Sequence, residues 1–151
     1  MVDTSRTYSS RRSGIAQALA DKFSEIDGTG FYRTRVYETS PRLRFWDEVK
    51  NFPAVHLNTG AETREYQGGG YKDRYLSITI RCYVHEENAT EALDALIEDI
   101  ETVIEQNSRL AYFDRDREVQ YTHQISITNI DTDEGVLEPL GVGEIQIEVR
   151  Y

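Results

Sequence analysis

The stretch that decides the fold is residues 75–84, with the sequence Tyr-Leu-Ser-Ile-Thr-Ile-Arg-Cys-Tyr-Val. From Leu76 to Val84 every second residue is apolar, and the residues between them are polar or aromatic. Successive side chains of a β-strand point to opposite faces of the sheet, so this alternation predicts a strand with one buried face. The other face carries Tyr75 and Tyr83, and it is expected to be wet or to contact another subunit.

Two amphipathic helices are predicted on either side of this strand in the chain. The first covers about Ser10 to Ile26 and ends at Gly28, because glycine accepts the left-handed conformation of a helix end. The second begins after Asn88, with Glu91 three residues later completing a capping box. Its apolar residues form one wide stripe, and its other face is strongly acidic, with Glu91, Asp94, Glu98, Asp99, Glu101 and Glu105.

Further strands are indicated by alternation and by β-branched or aromatic residues, at 31–37, 54–57, 118–130 and 143–151. The segment 43–49 is compatible with either a helical turn or a short strand. Residues 60–74 have few apolar side chains and contain Gly68, Gly69 and Gly70. They are expected to form a mobile loop or the tip of a long hairpin.

This order of elements predicts an α+β fold. Strands joined by tight turns favour a mainly antiparallel sheet of four to five strands, with two amphipathic helices packed on one face. Residues 1–12 are rich in Ser, Thr and Arg and are expected to be a flexible tail. The rest, 13–151, is expected to be a single domain.

Composition limits the partners of the chain. A net charge of −10 over 151 residues argues against binding DNA through a continuous basic surface. Residues 1–50 nevertheless contain nine Lys or Arg against seven Asp or Glu, whereas the remainder contains eight against twenty. Two surfaces of different charge could pair head to tail between copies of the protein. Alternatively, the charged side chains only keep the protein soluble. No signal peptide and no stretch as long as a membrane span is evident, so a soluble protein without a membrane partner is expected.

The sequence gives little indication of catalytic, metal-binding or phosphate-binding sites. His56, His85 and His123 occur singly, and His56 and His123 are expected on polar faces of strands. Cys82 lies in the alternating strand and is interpreted as a small core residue. Gly68–Gly70 lacks the lysine of a phosphate-binding loop. We therefore predict no catalytic residue, no metal and no cofactor, and hence a protein that is not an enzyme.

Two acidic clusters resemble metal sites only in part. Asp131, Asp133 and Glu134 begin like a calcium loop, but the later ligands are missing, so an acidic hairpin is favoured. Asp114 and Asp116 alternate with arginines, which favours a turn held by ion pairs over a two-metal site.

Phe45 and Trp46 lie among Arg42, Arg44 and Lys50. This mixture is compatible with core packing, with a protein interface, or with binding of single-stranded nucleic acid. The chain has ten tyrosines, several at strand positions such as Tyr75 and Tyr83, which favours protein contacts. The candidate interface residues are Arg42, Arg44, Phe45, Trp46, Tyr75 and Tyr83.

Three segments resemble the tail terminator proteins of long-tailed bacteriophages. They are Arg42-Leu43-Arg44-Phe45-Trp46-Asp47-Glu48-Val49 followed by Phe52-Pro53-Ala54-Val55, then residues 95–101, and then residues 127–135 with Pro139 and the strand that ends at Tyr151. The likeness begins near Ile15 and rests on order, spacing and size. The segment 60–74 is where the chain departs from it.

The resemblance implies a homohexameric ring that caps the tail tube and contacts the head–neck connector, with DNA passing through the lumen. Such a protein belongs to the virion tail and is assembled in the cytoplasm of the bacterial host. At least one acidic loop, Asp114 and Asp116 or Asp131 to Glu134, is then expected to face the lumen. Another head-closure or connector protein is the nearest alternative, and a small ligand-binding or catalytic domain is a more distant one.

Overall fold

The computed structural model describes residues 9–151, and the side chain of Trp46 lies outside that description. Two α-helices and seven strands form within these residues. Their bounds are α1 Arg11–Phe23, β1 Glu38–Ser40, β2 Ala54–Tyr66, β3 Lys72–His85, α2 Ala89–Gln106, β4 Ala111–Phe113, β5 Val119–Tyr121, β6 Gln124–Thr132 and β7 Leu140–Arg150.

Five of the strands form one sheet, in the order β1-β2-β3-β7-β6. All neighbouring strands are antiparallel except β1 and β2, which pair in parallel. The strands β4 and β5 form a separate hairpin. The predicted α+β fold with a mainly antiparallel sheet is confirmed.

The core lies between the helices and the apolar face of β3. That face consists of Leu76, Ile78, Ile80, Cys82 and Val84, all buried and all in one cluster with residues of both helices. The helix α2 comes close to β7 at Gly143, where an added Cβ would lie 3.2 Å from Leu93 Cδ1. On the other face of the sheet, the described residues form no α-helix.

The start of α1 is fastened to the sheet. Ser10 and Ser13 form a reciprocal capping box. Arg11 Nε donates a hydrogen bond to the Tyr112 hydroxyl at 3.2 Å, and Arg12 donates one to the carbonyl of Gly60. The expected tail of residues 1–12 therefore extends too far, because this cap and these contacts include Arg11 and Arg12 in the helix. Residues 1–8 lie outside the described range, and the expectation for them stays a prediction.

Tyr151 holds the end of the chain against the same corner. Its ring is covered by the guanidinium groups of Arg11 and Arg74, each 5.4 Å from the ring centroid. Its hydroxyl donates a hydrogen bond to Glu62 Oε1 at 2.5 Å. Burial, and then the hydrogen bond to Glu62, raises the pKa of Tyr151 to about 12. The terminal residue thus connects α1, β2 and β3.

The strand expected at residues 31–37 does not form. Asp99 of α2, only 3% exposed, accepts hydrogen bonds from the backbone N–H groups of Arg33 and Thr34. It also accepts one from the Thr34 hydroxyl, at 2.6 Å. These N–H groups are therefore not available to a strand ladder, and only Glu38–Ser40 pairs as β1. The same contact corrects the expected position of Asp99 on the solvated face of α2.

Other boundaries differ for local reasons. Residues 60–74 continue β2 and β3 as a long hairpin, and Gly68–Gly70 forms a short 3₁₀ turn at its tip. Whether this tip is mobile stays a prediction. Residues 118–130 divide into β5 and β6, because Thr122 leaves the strand to bond the backbone of Ser108 and Leu110. The expected capping box at Asn88 is absent, since the Asn88 amide donates to the Glu91 carboxylate instead.

We predict that Gly14→Ala destabilises the protein. In the interior of a helix, alanine is normally more favourable than glycine by about 1 kcal/mol. Here an added Cβ would lie 2.1 Å from the Phe113 carbonyl oxygen, so α1 and β4 must separate. Overpacking of this kind costs about 1–3 kcal/mol, which should lower the melting temperature by several degrees.

Gly68→Ala is the matched control, because no atom lies within 4 Å of an added Cβ at that position. Its melting temperature should equal that of the wild type. An equally stable Gly14→Ala variant would show that α1 can move away from β4 at no cost.

Candidate assembly surfaces

The helix-free face of the sheet carries a row of paired polar side chains. The Thr79 hydroxyl donates to Gln146 Oε1 at 3.0 Å, and Arg81 Nη2 lies 3.2 Å from Glu144 Oε2. These pairs cross from β3 to β7, where directly opposite residues bring their side chains together. They stiffen this face without covering it.

One end of this face is covered by residues 42–50. Val49 packs there with Ala54 and Tyr83 in a second, small apolar cluster. Tyr83 is only 1% exposed, and its hydroxyl donates to the Arg44 carbonyl at 3.4 Å. The expectation that Tyr83 is an exposed interface residue is therefore wrong, because this crossing segment lies over it. Tyr75, at the opposite end of β3, is half-buried.

His56 lies under the same cover. It is fully buried, and its Nε2 lies 2.6 Å from Glu38 Oε2, joining β2 to β1. Its ring contacts Tyr83 edge to face, with centroids 5.5 Å apart. His56 lies on the strand face that we predicted, but residues 42–50 cover that face at this position. His85 and His123 are exposed.

Phe45 and the turn between β6 and β7 enclose an open groove of about 810 Å³ on the helix-free face. We call it the acidic groove. Phe45, 76% exposed, forms one wall, and Leu137 forms the other. Arg42 and Arg44 are exposed and are not among the lining residues. The groove is lined by Phe45, Arg81, Tyr83, Asp131, Thr132, Asp133, Leu137, Leu140, Val142, Gly143 and Glu144.

Asp131 and Asp133 give the groove its negative charge. Asp133 Oδ1 accepts a hydrogen bond from the Gly135 N–H at 3.3 Å. Its Oδ2 is buried and has no hydrogen-bond partner among the described residues. Arg81 is paired with Glu144, so the two aspartates leave the groove with an excess of negative charge. Glu134 is exposed on the turn outside it, with a φ of 56°.

The second acidic turn joins β4 to β5. Asp114 organises it by accepting hydrogen bonds from the Gln120 amide and from the backbone N–H groups of Glu118 and Asp116. The Gln120 hydrogen bond and then the Glu118 one lower the pKa of Asp114. Asp116 and Glu118 are exposed. Asp114 therefore shapes the turn, and its neighbours present the charge.

Residues 31–37 form a basic, aromatic surface that was not predicted from the sequence. We call it the basic segment. Phe31 and Tyr37 are 78% and 59% exposed, and the Arg35 guanidinium lies 5.0 Å from the Tyr37 ring centroid. Arg33 is also exposed. The sequence feature that could have indicated this surface is the aromatic and basic content of residues 31–37. It was interpreted as typical of a strand.

The tip of the β2–β3 hairpin is a third exposed surface. Tyr66 and Tyr71 are exposed beside Gly68–Gly70, and Lys72 Nζ lies 5.8 Å from the Tyr66 ring centroid. Tyrosines of this kind are common at protein contacts.

In residues 9–151 no group of three or more His, Cys, Asp or Glu side chains is arranged to hold a metal ion. Complete burial of Cys82 raises its pKa to about 12, which keeps the thiol protonated. No helix of the described chain is long and apolar enough to cross a membrane.

Comparison with known proteins assigns the chain to a family. Residues 9–151 match the model of a family described as Bacteriophage Tail Tube Terminator Protein. Tail tube terminator protein p142 of Escherichia phage T5 is 34% identical over 150 residues, covering 93% of this chain and 92% of that protein. A chain from the virion of the native gene transfer agent particle superposes with a TM-score of 0.52, covering 93% of both chains. At 7% identity this last likeness concerns the fold alone. The chain belongs to the family of bacteriophage tail tube terminator proteins.

Proposed function

We propose that this protein ends the tail tube of a bacteriophage by assembling into a closed ring of six copies. One side of the ring sits on the last tube subunits, the other contacts the head–neck connector, and DNA passes through the lumen. The carrying observation is the family match over residues 9–151, together with 34% identity to a tail tube terminator. The role is structural rather than catalytic, and the working location is the virion tail, after assembly in the host cytoplasm.

The surfaces of the sheet support assembly by one repeated contact. The acidic groove lies beside β6 at one edge, whereas the basic segment leads into β1 at the opposite edge. Unlike edges suit a contact between different patches of two copies, and such contacts generate rings when the rotation closes.

We also propose that an acidic turn faces the lumen. Basic walls would bind phosphate and slow the passage of DNA. Acidic walls repel DNA only at short range, because charges are screened beyond about 8 Å at physiological ionic strength. The candidates are the Asp114–Glu118 turn and the Asp131–Glu134 turn, both of which project from the ends of strands.

The first prediction concerns the ring itself. Native mass spectrometry and electron microscopy of the purified protein, alone and with its tube protein, should show six-fold rings. Ring formation at high concentration only, or on a tube template only, would still agree. A protein that stays monomeric in both settings contradicts the proposal, and rings of twelve copies would favour a connector role instead.

The second prediction concerns the lumen. Asp116→Lys with Glu118→Lys should leave rings intact but slow DNA release from assembled phage. Time-resolved fluorescence of released DNA measures this. Glu98→Lys with Glu105→Lys on the exposed side of α2 is the matched control, and its release should be unchanged. Normal release from the Asp116/Glu118 variant, with normal rings, removes the role proposed for this turn.

A further inference from the structure

The acidic groove is suited to a ligand that is both apolar and cationic. Its walls, Phe45 and Leu137, leave much of their apolar surface exposed. Its charge comes from Asp131 and from Asp133, whose Oδ2 has no hydrogen-bond partner among the described residues. The two carboxylates favour a cationic group, because hydrogen bonds with a charged partner are about twice as strong as neutral ones.

The basic segment has the complementary chemistry. Arg33 and Arg35 are exposed, and no carboxylate of residues 9–151 lies within ion-pair distance of either. Phe31 and Tyr37 expose their rings beside them. Because Asp99 holds the backbone of this segment, binding would require little further ordering.

The two surfaces lie at the same end of the sheet but at opposite edges. Register connects them directly, since Glu38 pairs with Ala54, Ala54 with Tyr83, and Tyr83 with Val142 of the groove. Tyr37 immediately precedes this row, and its N–H donates to the Pro53 carbonyl. In a ring, one rotation brings the β1 edge of each copy towards the β6 edge of the next.

We propose that the basic segment of one copy docks in the acidic groove of its neighbour. Arg33 and Arg35 approach Asp131 and Asp133 of the next copy, and the exposed aromatic rings pack against the groove walls. This inference rests on the proposed ring, for which it names the contact between subunits. It assigns the Asp131–Glu134 turn to that contact and leaves the Asp114–Glu118 turn for the lumen.

Charge exchange tests the contact. Variant one carries Arg33→Glu and Arg35→Glu, so that segment and groove are both acidic. Variant two carries Asp131→Arg and Asp133→Arg, so that both are basic. Like charges brought together at an interface are strongly unfavourable, so each variant alone should need a concentration more than about tenfold higher to form rings.

An equal mixture of the two variants should restore assembly. In a ring where they alternate, every groove faces a segment of opposite charge, and a six-membered ring permits strict alternation. Mass spectrometry should detect rings containing three copies of each variant. Rings from each variant alone at the wild-type concentration, or no rescue in the mixture, would overturn the contact.

Asp116→Arg with Glu118→Arg is the matched control, because it makes the same change of charge outside the groove. It should assemble normally and should not rescue variant one. Since Asp133 supports its own turn and Arg33 lies beside Asp99, melting temperatures are measured for all variants. The milder pair Arg35→Glu and Asp131→Arg repeats the exchange if either double variant is unfolded.

The outcomes separate this contact from the ring proposal. If the wild type forms no ring in any setting, the proposed function fails first. If the wild type forms rings and both variants also do so, but the variants no longer bind tube protein, then the groove receives the tube protein and the subunit contact is wrong.

Discussion

β3 is hydrogen-bonded to β2 along one side and to β7 along the other, and its alternating side chains divide the molecule into two sides. Both helices cover the apolar side, because Leu76, Ile78 and Ile80 have to be removed from water. Residues 9–151 contain no third α-helix that could cover the other side. The polar pairs, the crossing segment 42–50 and the groove all occupy the surface that this strand leaves open.

The elements that could be predicted from the sequence are those whose apolar residues recur at a short, regular spacing. The alternation of β3 and β7 and the apolar stripe of α2 each recur every two to four residues, so their faces can be assigned without knowing the fold. The buried position of Cys82 follows from the same alternation.

Long-range contacts account for what the sequence did not reveal. Asp99 captures N–H groups 65 and 66 positions away, which no local pattern records. Tyr83 has a polar-face position and is nevertheless buried, because a separate segment crosses it. The groove could not be predicted for the same reason, since Phe45 and Leu137 line one groove only when β3, β6 and β7 have formed. The sequence shows that both turns are acidic. Only the structure shows that the Asp114 carboxylate accepts hydrogen bonds within its own turn.

Charge is therefore less uniform than a net value of −10 suggests. One helix carboxylate, Asp99, is buried and serves the backbone, while Glu144 is neutralised by Arg81. Arg11 of α1 lies against both Tyr112 and Tyr151. The exposed arginines of the basic segment and the aspartates of the acidic groove lie at opposite edges of the sheet.

The difference between the edges at β1 and β6 has a geometric consequence. An assembly joined through unlike edges has no dyad perpendicular to its axis, so its two rims are chemically distinct. Each rim can then recognise a different neighbour although every copy has the same sequence. In a ring of the proposed kind, the strand order of a single chain would therefore determine which rim faces each neighbour.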